Sequence, residues 1–145
     1  MAVMEHVFSD KMAAMVTALD TDAPPLERFE QFIRRFVELM GNDNNLRVLL
    51  QRELLDGDEV RLKFLAERLF VAPFEAVTSL AKSVSSKTDP YMLAISVVGL
   101  VLFHFETATL RNFLPGGDDK RNNYDNITEH VTQLLQMALG GGATR

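Results

Sequence analysis

The sequence predicts an all-α fold, a helical bundle of about six helices, on three observations. Leu26, Phe29, Ile33, Phe36 and Met40 recur at i, i+3, i+7, i+10 and i+14, which lays one unbroken apolar face along a helix. Between such stretches the chain carries helix-opening and helix-closing pairs, Pro24-Pro25, Asp56-Gly57, Asp89-Pro90 and Gly116-Gly117. No run alternates apolar and polar residues between turn signals, as a half-buried strand does. At 145 residues the chain has the length of a single domain. With 47% of its residues apolar it has the material for a core and is not a disordered segment.

The first helix is expected over 2–19, where Val3, Val7, Met12, Met15, Val16 and Leu19 keep a loosely helical spacing, and it ends at Asp20-Thr21-Asp22. The second opens at the double proline, because proline fits the first turn of a helix and lacks only an amide that would be unpaired there. Gly41-Asn42 closes it. Asp43-Asn44-Asn45 can cap a third helix carrying Leu46, Leu49, Leu50 and Leu54, which Asp56-Gly57 ends. Asp58 caps a fourth, with Leu62, Leu65 and Leu69 and, beyond Pro73, Phe74, Val77, Leu80 and Ala81. Pro73 has no amide to donate and crowds the preceding turn, so a kink or restart is expected near Ala72.

Asp89-Pro90 opens a fifth helix, expected over 90–114. Its apolar residues from Tyr91 to Phe105 fall on every side of the wheel, leaving no stripe for water. Ser96, Gly99 and His104 interrupt the run, and it is shorter than the roughly 18 to 20 apolar residues that cross a bilayer. It must therefore be covered by protein on both sides, which points to a second subunit. A solvated loop, GGDDKRNN over 116–123, precedes a last helix over 124–139 with Ile127, Val131, Leu134, Leu135 and Ala138 on one side. Gly140-Gly141-Gly142 ends it, and the tail beyond is expected to fray.

Charge and chemistry exclude much. A net charge of −5 without a clustered basic face argues against this chain by itself gripping a phosphate backbone. With no cysteine there is no disulfide, thiolate metal site or cysteine nucleophile. The start, MAVMEH, carries neither the basic region nor the apolar core of a secretory leader, which predicts a cytoplasmic protein. Glu129-His130 lacks the second histidine of H-E-x-x-H, and Gly116-Gly117 is followed by two aspartates that repel phosphate. No paired acids, no serine with a base and no catalytic constellation stand out, so the expectation is a protein that is not an enzyme and uses no metal or cofactor.

The joints Pro25-Leu26-Glu27-Arg28, Arg47 through Arg52-Glu53-Leu54, Asp56-Gly57, Ala72-Pro73-Phe74, Asp89-Pro90 and Pro115, in this order, resemble the C-terminal ligand-binding and dimerisation region of tetracycline-repressor (TetR) family transcription regulators. The resemblance extends over essentially the whole chain. It implies a TetR-family C-terminal-domain-like fold whose last two helices pair with those of a second copy as a dimeric four-helix bundle. It also implies middle helices that enclose a pocket for a small apolar or aromatic effector. Residues 2–19 look like the later part of the helix that joins this region to the family's N-terminal helix-turn-helix, which the sequence does not contain. The expectation is therefore a homodimeric sensor that reaches DNA only through that missing head. The alternative is a stand-alone helical ligand-binding or adaptor protein with no DNA role.

On this resemblance the candidate pocket residues are Phe64, Phe70, Phe74, Met92, Ser96, Phe103 and His104, each weighed against plain core packing. The candidate dimer seam is Ile127, Val131, Leu134, Leu135 and Ala138 with Val98, Leu102 and Phe105. Which face of the 90–114 helix meets the partner and which meets the pocket is left open. Ser96 and Gly99 would let a helix or a ligand come close. His104 needs a hydrogen-bond partner or must stay neutral, and a backbone carbonyl, Glu106 or Arg111 could satisfy it as readily as an effector. His6 and His130 read as surface residues, and Glu53 beside Arg52 and Arg68 beside Glu67 as a solvated face.

Overall fold

The computed structural model describes residues 2–117 and 123–140, with side chains described from Phe8 to Leu139. Among these the chain is helical with no strand. α1 (Ala2–Ala18), α2 (Pro25–Asn42) and α3 (Asn44–Asp56) are followed by α4 (Glu59–Leu65), which runs through a π-helical turn (Ala66–Phe70) into α5 (Val71–Val84). Then come α6 (Pro90–Glu106), the single-turn α7 (Ala108–Arg111) and α8 (Tyr124–Gly140). The six expected helices are all present, with the fourth divided by the π turn. Residues 118–122 of the expected loop, residues 141–145 of the expected tail, and the side chains of Val3, His6 and Val7 lie outside the described residues. Among the described residues no helix is long and apolar enough to cross a membrane.

The helix starts follow local chemistry. Asp43, Asp58 and Asp89 each cap the helix after them, accepting from the amides of Leu46 (3.0 Å), Arg61 (3.0 Å) and Tyr91 (2.8 Å) respectively. Pro25 and Pro90 occupy the first turns of α2 and α6. Gly57 ends α3 in the left-handed region, at φ 68°. The distortion expected near Ala72 arises one turn earlier: the amide of Val71 reaches back five residues to the carbonyl of Ala66. This widened turn eases the crowding that Pro73 would cause in a regular helix.

α2 is the axis of the subunit. Phe29, Phe32, Ile33, Phe36, Val37 and Met40 are all buried, a wider face than the single stripe in the sequence, because α1, α5, α6 and α8 all pack on it. α8 lies along α2 with Ile127, Val131 and Leu135 buried in the shared core. Arg34 with Asp125 (3.2 Å) and Gln136 with Glu30 (2.6 Å) hold the rims of that contact. The Tyr124 ring sits over Gly41, where a Cβ would overlap it, and meets Phe105 edge-on at 5.9 Å.

Two expectations need correction. α6 stops at Glu106, not Leu114. The Phe103 carbonyl accepts from both the amide (3.1 Å) and the hydroxyl (2.6 Å) of Thr107, and the Arg111 guanidinium donates to the His104 carbonyl, so side chains help to close the last turn of the helix. Glu53 does not belong to a solvated face. It is only 8% exposed and pairs with Arg61 at 2.8 Å, because the turn at Gly57 folds α4 back over the end of α3.

Candidate functional site

An apolar cavity of about 550 Å³ lies between α1, α2, α3, α5 and α6, within the size range of small-molecule sites. α1 contributes Met12 and Met15, which share a face of that helix with Phe8 and Leu19. α2 contributes Phe32, Phe36 and Met40. The π turn and α5 supply Phe70, Pro73, Phe74 and Val77, and α6 closes the wall with Ala94, Ile95, Val98 and Leu102. Leu50 and Leu54 of α3 complete it. Leu54 and Ile95 are exposed as well as lining, so the mouth opens between α3 and α6.

None of these side chains carries a nitrogen or an oxygen. The aromatic rings are engaged with one another: Phe32 stacks on Phe36 at 5.7 Å, Phe70 meets Phe8 edge-on at 5.8 Å, and Phe74 meets Tyr91 edge-on at 5.4 Å. A lining of this kind has no general acid, base or nucleophile to offer. It can hold an apolar body by excluding water from it.

Comparison with models of protein families, with curated proteins and with solved structures returns no match.

Of the candidate pocket residues, Phe70 and Phe74 line the cavity. Phe64 lies outside it, partly exposed beneath the Arg68 guanidinium at 5.0 Å. Met92, Ser96 and Phe103 point away from the cavity on the outer side of α6, where Phe103 is 65% exposed. His104 is half-buried between α6 and α8, its ring edge-on to His130 at 6.3 Å. Burial, with the nearby Arg111 and His130, lowers its pKa from the ordinary histidine value.

The candidate seam residues divide in the same way. Val98 and Leu102 line the cavity, and Ile127, Val131 and Leu135 are already covered by α2 of their own subunit. Phe105 is half-buried under the Arg47 guanidinium at 5.2 Å, while Leu134 and Ala138 face outward. Exposed rows rich in apolar side chains do remain. Met92, Ser96, Gly99 and Phe103 form an outward row on α6 at i, i+4, i+7 and i+11, and His130, Leu134 and Met137 form one on the neighbouring α8. Met137 is 73% exposed.

The lining residues missed from sequence come mainly from α1, α2 and α3. Phe32, one turn before the stripe residue Phe36, was the available signal for a second buried flank on α2. Phe8, Met12, Met15 and Leu19 are likewise helically spaced, but Val3, Val7 and Val16 blur that face.

Proposed function

We propose that this chain is the effector-sensing and dimerisation domain of a TetR-family transcriptional repressor, cytoplasmic, homodimeric and not an enzyme. Contact with DNA falls to a helix-turn-helix head outside these residues. The observation that carries this reading is the double duty of α6. One face of the helix closes the cavity through Ala94, Ile95, Val98 and Leu102, and the adjoining face presents Met92, Ser96, Gly99 and Phe103 uncovered. A helix with a cavity on one side and an apolar face on the other can transmit occupancy of the first to the geometry of the second.

α1 is the output. Met12 and Met15 line the cavity directly, so an effector that favours one placement of α1 shifts the population toward it. In a dimer that shift would change the spacing of two DNA-reading heads. The net charge of −5 supports leaving DNA contact to another domain.

Sedimentation equilibrium tests the reading. The expected species at micromolar concentration is a dimer, converted to a folded monomer by Phe103→Asp or Met137→Asp. A wild-type chain that sediments as a monomer at that concentration removes the dimeric regulator.

A further inference from the structure

We infer that the effector is aliphatic: a flexible alkyl chain or saturated hydrocarbon body enters the cavity, and any polar end stays at the mouth between α3 and α6. The inference rests on the reading of the cavity as the effector site and names the chemistry that site selects.

Observations at the lining and at the mouth support it. Among the described residues the lining has no side-chain hydrogen-bonding group, so a hydroxyl or amide carried inward would exchange water for nothing. Three thioethers, Met12, Met15 and Met40, line the wall, and unbranched methionine side chains adapt to a ligand of variable shape. Along α6 the lining runs from Ala94 to Leu102, a depth of about 12 Å at the helical rise, which suits an elongated body. The mouth residues Leu54 and Ile95 are exposed, so a polar end there keeps its water.

The test titrates the whole chain with linear primary alcohols from hexanol to hexadecanol, followed by calorimetry and thermal shift, with naphthalene and biphenyl as rigid aromatic counterparts. Affinity is expected to rise by about fourfold for each added methylene and to level off once the chain fills the cavity. Moving the hydroxyl from the end to the middle of the chain should lose at least tenfold. Val98→Phe, which adds bulk at a half-buried lining position, should bring the levelling-off to shorter alcohols; Leu102→Phe serves the same purpose if the first variant does not fold. A ladder that neither variant shifts places binding elsewhere and overturns the inference. Aromatics binding more tightly than alcohols of equal carbon number overturn the aliphatic assignment and leave the effector reading standing. No binding in either series overturns both.

Discussion

Phe70 presents its ring edge-on to Phe8 at 5.8 Å while also lining the cavity, so one side chain touches both the site and the helix proposed as its output. An occupant that moves Phe70 must move Phe8 or open a gap beside it, because packed interiors have no slack to absorb the displacement. Ligand binding should therefore slow amide hydrogen exchange in α1 as well as around the cavity. Phe8→Leu, a large-to-small change at a buried position costing on the order of 1 to 2 kcal/mol, should keep decanol binding while reducing the protection transmitted to α1. Equal α1 protection in both proteins would remove Phe70 and Phe8 as the link.

The two faces of α8 should respond oppositely to charge. Val131 is fully buried against α2, so Val131→Asp places a carboxylate in the core and should cost several kcal/mol, enough to unfold the subunit. Met137 is open to solvent, and Met137→Asp should leave subunit stability within about 0.5 kcal/mol while weakening self-association. Circular dichroism melts together with light scattering separate the outcomes. A Met137→Asp protein that remains dimeric rules out the outward row of α8 as the seam.

Stability should fall on acidification because of His104. Its folded-state pKa lies below the ordinary value, so the unfolded chain binds the proton more readily. The contribution is complete above about pH 6.5, is lost as pH falls from there through the folded pKa, and changes no further below it. Melting temperature followed across this window should show a decline that His104→Gln flattens. A decline of unchanged size in the variant assigns the pH dependence to other groups.

Two glycines should separate backbone strain from face geometry. Gly57 has positive φ with open space around its Cα, so Gly57→Ala should destabilise by about 1 kcal/mol through the left-handed backbone alone. Gly99 is helical, exposed and unobstructed, so Gly99→Ala should stabilise the subunit by up to about 1 kcal/mol. Gly99→Phe should weaken the dimer, because the outward row of α6 would no longer admit a close neighbour. Chemical denaturation measures the first two effects and sedimentation the third; an unchanged dimer in Gly99→Phe removes α6 from the contact.

Arg61 should act as a clasp on the cavity mouth. It reaches Glu53 and Asp56 on α3 from α4, and α3 carries the lining residues Leu50 and Leu54. Arg61→Met leaves the buried Glu53 carboxylate without its partner, so the melting temperature should drop and exchange in α3 should quicken more than in α8. Uniform quickening across all helices would make the pair a general stabiliser with no local role.

The residues that begin and end helices were readable in the sequence because capping is a local matter. Asp43, Asp58 and Asp89 bond to amides two or three residues away, and Gly57 supplies its own left-handed turn. The all-round apolar character of α6 was equally readable, and the structure leaves one side of it uncovered. What covers each apolar side was not. The stripe of Ile127, Val131 and Leu135 meets α2 of its own subunit, Val98 and Leu102 meet the cavity, and Met92 and Phe103 meet neither. Hydrophobic spacing records that a face must leave water, but the choice among core, cavity and partner belongs to how distant helices pack. Only the folded arrangement brings Met12, Phe36, Phe70 and Val98 around one space.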